Sequence, residues 1–321
     1  MDWSGQTPML MTAPTSARLC SSRASAGFLT LRWSSDWADF APNGRSCKAT
    51  IPSKLRVLGS RSNGFSLTSR RDLLLLPAET EKVWNFLKDQ PALQGFVLAG
   101  GSALALTIRH RFSEDLDFVY PDVRLPRQRL EVFSRQAREQ GFDFQRNDNE
   151  AAAQDFALGG MELHDYQQDF LVNGMVKVSF FAPDEGLRKV LSAGGERKVR
   201  VASLAELFKT KCLVSAVRSK SRDWLDLYLL MREHGFSIHD YQAAFCEAGI
   251  PNQCDLGLAR LCAGVPQRDD EGYAHLLQNP PSLAEMRAYF VAQRNKLEIE
   301  IAAEAMRQKQ KPASPPGHGE R

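Results

Sequence analysis

"LAGGSALALTIRHRFSEDLDFVYP", residues 98–121, is the stretch that decides the fold. An apolar run ends in two glycines and a serine, a helix-like segment follows, and two aspartates then alternate with apolar residues. Gly100 and Gly101 stand where a strand is expected to turn into a helix, and there the missing side chains let backbone N–H groups approach an anion. Ser102 could cap that helix or bond a phosphate oxygen. Taken alone, such a triplet is more often a plain strand-to-helix turn.

The two aspartates make the glycine corner more informative. Asp115 and Asp117 are two apart in a predicted strand, so their side chains project from one face, about 6.5–7 Å apart. Two carboxylates on one face repel each other unless a positive charge lies between them, and Mg²⁺ prefers carboxylate oxygens and bridges to substrate phosphates. A lone Asp-x-Asp is more often a solvated sheet edge, but next to Gly-Gly-Ser it predicts a two-part site for magnesium and phosphate.

This pattern resembles the nucleotidyltransferase superfamily, and within it the AbiEii/AbiGii toxin family of abortive-infection and type IV toxin–antitoxin systems. That family typically reads Gly-Gly-Thr/Ser-Ala-Leu, then His-Arg-x-Ser-x-Asp-Leu-Asp-Phe. The corresponding residues here are Gly100, Gly101, Ser102, Ala103, Leu104, His110, Arg111, Ser113, Asp115, Leu116, Asp117 and Phe118. The resemblance covers roughly residues 75–235.

A second block, "VASLAELFKTKCLVSAVRSKSRDWLDLY" at residues 201–228, is similar to the same family. The family places a Lys on a helix and then Arg-Asp-x-x-Asp-Leu-Tyr at the start of the next one, which here gives Lys211, Arg218, Arg222, Asp223, Asp226 and Tyr228. Lys211 could neutralise a triphosphate as a point charge, and Asp223 falls in the first helical turn, where an acid is favourable. A salt bridge between two helices explains both residues equally well, and the resemblance favours a role in the nucleotide site.

One position departs from the superfamily pattern, and two basic features stay open. A third metal-side acid often comes from a later strand, but "MVKVSFF" has Ser179 there, so either Asp223 completes the site or activity is weakened. His110 and Arg111 could face a nucleotide or cap a helix end. A basic cluster is either a solvated hairpin or a contact for an RNA backbone, and it consists of Arg188, Lys189, Arg197, Lys198 and Arg200.

The predicted fold class is α+β, with a nucleotidyltransferase palm of a small mixed β-sheet and flanking helices, followed by a C-terminal helical domain. We expect a disordered or mis-annotated extension over residues 1–70, the palm over 71–200, the helical domain over 201–307 and a disordered tail over 308–321. Residues 1–71 hold ten Lys/Arg and three Asp, a net +7, whereas the remainder holds 31 Lys/Arg and 35 Asp/Glu, a net −4. A net negative charge on the residues after position 71 is not typical of a protein that coats nucleic acid nonspecifically.

The six cysteines form no Cys-x-x-Cys pair, and no apolar run approaches the roughly 18 residues of a membrane span, so we expect a soluble, cytoplasmic protein with no membrane contact. The resemblance implies a Mg²⁺-dependent transfer of a nucleotide from an NTP to an acceptor hydroxyl, with tRNA as the expected acceptor and a neighbouring-gene antitoxin as the partner. Asp115 and Asp117 would hold the metal, Gly100, Gly101, Ser102 and Lys211 would bind the nucleotide, and Asp223 would orient the acceptor or the metal. Two alternatives remain: a small-molecule nucleotidyltransferase of the aminoglycoside type, and a non-catalytic relative that binds nucleotide or a partner.

Overall fold

The computed structural model describes residues 76–195 and 198–310, with side chains described as far as residue 307. The predicted extension over residues 1–70 therefore lies outside the described residues, as do Arg197 and residues 311–321. Within 76–310, none of the described helices is both long and apolar enough to cross a membrane.

A six-stranded mixed sheet carries the first half of the described chain. Its strands are β1 (Val97–Ala99), β2 (Leu116–Val119), β3 (Phe144–Arg146), β4 (Gln167–Val172), β5 (Val176–Phe181) and β6 (Arg200–Val201). Their spatial order is β3-β4-β5-β2-β1-β6. The pairs β1–β6 and β2–β5 are parallel, and the other three pairs are antiparallel.

Helices connect and follow these strands. Those that alternate with the strands are α1 (Ala78–Leu87), α2 (Gly100–Ile108), α3 (Arg127–Glu139), α4 (Glu150–Leu158) and α5 (Glu185–Val190). Those that follow the sheet are α6 (Leu204–Val217), α7 (Ser221–Glu233), α8 (Ile238–Glu247), α9 (Cys254–Ala263) and α10 (Leu283–Gln310). This confirms the predicted α+β class. The last helix continues to Gln310, past the residue where the tail was expected to begin.

The period-two alternation of the strands separates an apolar face of the sheet from a polar one. On the apolar face the Phe118 and Phe180 rings stack with centroids 5.2 Å apart, and Phe170 meets Phe180 edge-on at 6.0 Å. Trp84 of α1 stacks on Phe118 with centroids 6.3 Å apart, so α1 covers this face. The residues between these aromatics therefore face the other side, and Asp117 is one of them.

The connection between β4 and β5 is a tight hairpin. Val172 pairs with Val176 across it, and Asn173 and Gly174 both have positive φ, 52° and 70°. An Asn-Gly pair adopts this backbone region at low cost, which is why the dipeptide signals a hairpin. The hairpin brings β5 next to β2 and so places Ser179 beside Asp117.

Candidate active site

The glycine corner is built for close approach. Gly100 has φ +70°, and a Cβ on it would collide with the Asp117 carboxylate. A Cβ on Gly101 would lie 2.6 Å from Arg111 Nη2 and 3.0 Å from Ser113 Oγ. The two glycines thus let the N-terminus of α2 lie directly against the acidic strand, where its unpaired N–H groups favour an anion.

Hydrogen bonds of the buried Ser102 side chain stabilise this corner. The helix has Ala99 at its N-cap, so Ser102 lies inside the first turn and does not cap it. Its buried hydroxyl hydrogen-bonds with Ser113 Oγ at 3.0 Å and donates to the carbonyl oxygen of Asp115. Ser113, rather than Ser102, lines the cleft, so the side chain of Ser102 holds the segment before β2 against α2.

Asp115 and Asp117 both line the cleft, as the sequence predicts. The strand, however, begins at Leu116, one residue later than expected. Asp117 pairs with Ala99 of β1, and the next residue of that chain is Gly100, which already belongs to α2. Asp115 therefore has no β1 residue to pair with, and it lies just before the strand.

The environment of this pair raises both pKa values. Burial and the neighbouring Asp115 charge raise the pKa of Asp117 to about 6, and burial also raises the pKa of Asp115. Among the residues that the structure describes, neither carboxylate has a hydrogen-bond or ion-pair partner. Two uncompensated oxygen donors beside a helix N-terminus fit a hard divalent cation such as Mg²⁺. Over the described ranges no group of three or more His, Cys, Asp or Glu comes together as a metal site.

A second acid pair in the same region has the opposite environment. Asp223, on the first turn of α7, accepts from Lys211 Nζ at 2.6 Å and from Arg218 Nε at 2.8 Å. Burial acts to raise the pKa of Asp223, but the charges of Arg218 and Lys211 outweigh it and hold that pKa well below its usual range. The structure thus brings Lys211 and Asp223 together in the cleft wall as a salt bridge between α6 and α7.

Asp226 is the centre of this network. It is fully buried and accepts from Arg111 Nε at 2.7 Å and Arg111 Nη2 at 3.0 Å. Lys211 Nζ and His110 Nε2 each lie 2.7 Å from its carboxylate. His110 and Arg111 therefore do not cap α2, whose C-cap is Arg109, but tie the loop before β2 to the helical part of the chain.

The network also places cations in the cleft. Lys211, Arg111 and Arg218 line it, and each contacts Asp223 or Asp226. Asp115 and Asp117 line the same cleft. Cations and a carboxylate pair in one cleft are an arrangement suited to a polyanion bound with a divalent cation.

Several cleft residues were missed at the sequence level. Lys177 and Gln167 line the cleft because they lie on the polar face of β5 and β4, and alternation with Ser179 is the signal that could have found Lys177. Glu271 comes from the segment between α9 and α10, and its Oε2 lies 2.9 Å from Arg222 Nη1. In that segment Asp270 accepts from both the N–H and the hydroxyl of Ser221. No local pattern predicts these contacts, which span about 50 residues of chain.

The described members of the basic cluster, Arg188, Lys189, Lys198 and Arg200, lie outside the cleft lining. Arg188 donates to the carbonyl of Pro183, and Lys189 lies 2.8 Å from Glu185. Arg200 forms two hydrogen bonds with Glu206, at 2.7 and 3.0 Å. These four residues lie on or beside α5 and β6, and the contact of the cluster with RNA stays a prediction.

A comparison with family models identifies the chain. The model described as "Nucleotidyl transferase AbiEii toxin, Type IV TA system" matches residues 85–314. The chain belongs to this family. The match includes every cleft residue described above and confirms the resemblance inferred from Gly100–Phe118 and from residues 201–228.

Two individual proteins are similar to this member of the AbiEii family. An uncharacterised protein of Aquifex aeolicus (strain VF5) is 27% identical over 150 residues, which cover 46% of this chain and 63% of that protein. The chain thus spans less than two thirds of the length of this relative. MenT4, a nucleotidyltransferase toxin of Mycobacterium tuberculosis H37Rv, is 17% identical, with a TM-score of 0.39 over 64% of this chain and 75% of that one.

Proposed function

We propose that this AbiEii-family protein is a Mg²⁺-dependent nucleotidyltransferase that acts as the toxin of a type IV toxin–antitoxin or abortive-infection system. The observation that carries the proposal is the pair Asp115 and Asp117, held against the N-terminus of α2 in a cleft that Lys211 and Arg111 also line. A magnesium ion and a triphosphate together complement both sides of this cleft.

The carboxylates Asp115 and Asp117 would hold Mg²⁺. When bound, the ion supplies Lewis-acid stabilisation of the attacking and leaving oxygens. Gly100 and Gly101 keep the floor of the cleft open, so that backbone N–H groups of α2 can donate to phosphate oxygens. In this proposal Ser102 contributes by fixing that backbone, since its hydroxyl is used inside the protein.

Lys211 and Asp223 act together in the proposal. Lys211 would offset triphosphate charge, and it is held in position by Asp223 and Asp226. Both oxygens of Asp223 already accept hydrogen bonds from Lys211 and Arg218, so Asp223 would act through these cations rather than as a metal ligand. In the reaction an acceptor hydroxyl oxygen bonds to the α-phosphorus, the bond from that phosphorus to the bridging oxygen breaks, pyrophosphate leaves, and the acceptor proton passes to solvent.

For the acceptor we propose tRNA, for the partner a neighbouring-gene antitoxin, and for the location the cytoplasm. Membership in a toxin family of type IV toxin–antitoxin systems supports the antitoxin. The cations that line the cleft support an RNA terminus entering beside the NTP.

The test is a transfer assay with each of the four NTPs, labelled at the α-phosphate, together with Mg²⁺ and either total tRNA, an aminoglycoside or no acceptor. We expect label in tRNA from one or two NTPs, none after chelation of Mg²⁺, and none with Asp117→Asn. We also expect growth inhibition by the wild type alone and relief by the neighbouring gene. Label in the aminoglycoside would support the small-molecule alternative, and NTP binding without transfer would support the non-catalytic one. Full activity of purified Asp117→Asn would rule out the proposed site.

A further inference from the structure

A row of polar side chains runs across the sheet from the carboxylate pair. Asp117 on β2 is the register partner of Ser179 on β5, and Ser179 is the partner of Asp169 on β4. Residues paired in this way point to the same face of a sheet, with strands about 4.8 Å apart. Asp169 thus lies one strand beyond Ser179, on the side away from Asp117. Ser179 lines the cleft, and it occupies the position where a third acid was expected from the sequence.

Asp169 is a buried acid with incomplete partners. Only 4% of the residue is exposed, and its Oδ2 accepts from Gln167 Nε2 at 2.7 Å. Burial raises the pKa of its carboxyl group, and the neighbouring Ser179 hydroxyl and the charge of Lys177 act in the opposite direction. Its Oδ1 has no hydrogen-bond partner among the described residues. A buried carboxylate with an unfilled oxygen is costly, so a reason other than packing is required to explain it.

We propose that Asp169 is a positioning residue that orients the Ser179 hydroxyl, and that Ser179 supplies the third protein oxygen on the metal side of the site. The inference rests on the proposed function and deepens it. A carboxylate can only accept, so a hydrogen bond with Asp169 requires Ser179 to donate its single proton toward β4. The lone pairs of the Ser179 oxygen are then directed away from Asp169, on the side where Asp117 lies.

This arrangement also suits the charges of the site. A third acid at position 179 would lie one strand from Asp117, whose pKa is already raised by burial and by Asp115. A serine adds an oxygen donor without adding a charge at that distance, and Asp169 places its own charge about 10 Å from Asp117, at twice the strand spacing. Ser179 would therefore supply the third ligand oxygen without a charge. The acid, Asp169, lies one strand farther from Asp117 than Ser179 does.

The test measures metal affinity and needs no turnover. Mn²⁺ binding to the full chain without nucleotide is titrated by electron paramagnetic resonance for the wild type, Ser179→Ala, Asp169→Asn and the double variant. We expect each single substitution to weaken Mn²⁺ binding by roughly tenfold, as is typical when a partner of a metal ligand is removed. The double variant should be no weaker than Ser179→Ala, because both changes break one chain of contacts.

A matched control separates orientation of Ser179 from support of the strand. Asp148 Oδ1 accepts from the backbone N–H of Asp169 at 3.1 Å, so Asp148→Asn perturbs the same residue of β4 while leaving the Asp169 carboxylate in place. We expect its Mn²⁺ affinity to equal that of the wild type. Ser179→Asp in the Asp169→Asn background should restore affinity, because the acid is then returned to the position next to Asp117.

The outcomes distinguish this inference from the proposed function. Wild-type Mn²⁺ affinity in folded Ser179→Ala overturns the inference, while loss of binding in Asp117→Asn in the same series keeps the proposed metal site. If Asp117→Asn binds Mn²⁺ as well as the wild type, the proposed metal site itself is wrong. If Asp169→Asn does not fold, the comparison of Ser179→Ala with Asp148→Asn still decides, because a weaker affinity in both would show that strand support alone is at work.

Discussion

Asp117 and Asp223 are aspartates of one cleft whose pKa values move in opposite directions. Burial and the charge of Asp115 disfavour the ionised form of Asp117 and raise its pKa to about 6. Asp223 is also buried, but Arg218 and Lys211 stabilise its charge and hold its pKa low. Asp117 is therefore available to an added cation, whereas the charge of Asp223 is already compensated by cations of the protein. Under the proposed function, this difference in pKa separates the acid that would bind metal from the structural one more sharply than residue type or spacing does.

The raised pKa of Asp117 predicts a stability gain on its removal. Because the folded-state pKa lies above the ordinary value of about 3.9, the charged carboxylate disfavours the folded state at pH above 6, and this cost disappears below about pH 4. Without Mg²⁺, Asp117→Asn should therefore melt several degrees above the wild type at pH 8. The difference should vanish near pH 4. Calorimetry at the two pH values measures it, and added Mg²⁺ should raise the melting temperature of the wild type only. An equal or lower melting temperature of Asp117→Asn at pH 8 would contradict this.

Gly100→Ala tests whether close approach to Asp117 is the reason for the glycine. Gly100 and Gly174 have the same φ, +70°, but a Cβ on Gly174 would meet open space, whereas one on Gly100 would collide with the Asp117 carboxylate. Gly174→Ala should thus cost only the backbone strain of about 1–2 kcal/mol. Gly100→Ala should cost more and should also displace Asp117, lowering Mn²⁺ affinity at least tenfold. Urea denaturation and Mn²⁺ titration of both variants measure this. Equal effects in the two would show that backbone conformation alone selects glycine at position 100.

At the scale of elements, the loop before β2 and the hairpin of α6 and α7 are joined through one buried carboxylate. Arg111 and His110 come from the loop, Lys211 from α6, and all three contact Asp226 on α7. The charges of Arg111 and Lys211 outweigh the effect of burial and hold the pKa of Asp226 well below its usual range. The ionised Asp226 therefore compensates side chains that come from the loop and from α6.

Asp226→Asn should be strongly destabilising. Removing one partner of a buried ion-pair network leaves uncompensated charge and typically costs about 3–5 kcal/mol. Since the folded-state pKa of Asp226 lies below the ordinary value, its contribution is present above about pH 4 and is lost as the pH falls further. The penalty should thus be constant between pH 6 and 8 in urea denaturation. Glu285→Gln, which removes an exposed ion pair between Glu285 of α10 and Arg232 of α7, is the control and should change stability little. A penalty for Asp226→Asn no larger than that of the control would mean that the network does not hold these elements together.

The same contacts show how much of the candidate site can be predicted from local sequence. The spacing of Asp115 and Asp117 and the two glycines predicted one side of the cleft, because a strand and a helix terminus are local structures. The partners of Asp226 lie up to 116 residues away, and Asp169 reaches Ser179 only by strand pairing. Neither arrangement has a periodicity or spacing that marks it. The motif block around Asp223 predicted that Lys211 and Asp223 share a site, and both line one cleft. Whether such residues bind metal or compensate cations depends on neighbours that only the fold brings together.

At the scale of the whole molecule, charge limits how an RNA acceptor could bind. The residues after position 71 carry a net −4, so attraction of the whole surface cannot hold RNA. Among the described cations near the cleft, Arg222 lies 2.9 Å from Glu271, and Lys220 lies 3.7 Å from Asp269. Binding of a phosphate there would compete with an internal acid. Lys189 and Arg200 of the basic cluster also pair with acids, but Lys198 is exposed, so this end of the cluster is the candidate for the outer part of an RNA site.

Reversing two charges in that cluster tests the proposed tRNA acceptor. Arg197→Glu with Lys198→Glu should abolish transfer to tRNA and lower the slope of log affinity against log salt by about two, one for each RNA phosphate that the two side chains would neutralise. Mg²⁺-dependent NTP binding should be unchanged, because Lys198, the described residue of the two, does not line the cleft. The matched control is Lys82→Glu with Arg135→Glu, which makes the same change in net charge on α1 and α3, the helices that cover the apolar face of the sheet. If both double variants lose tRNA affinity equally, net charge alone is at work. If the cluster variant modifies tRNA normally with an unchanged salt slope, the cluster is a solvated surface and the RNA site lies elsewhere.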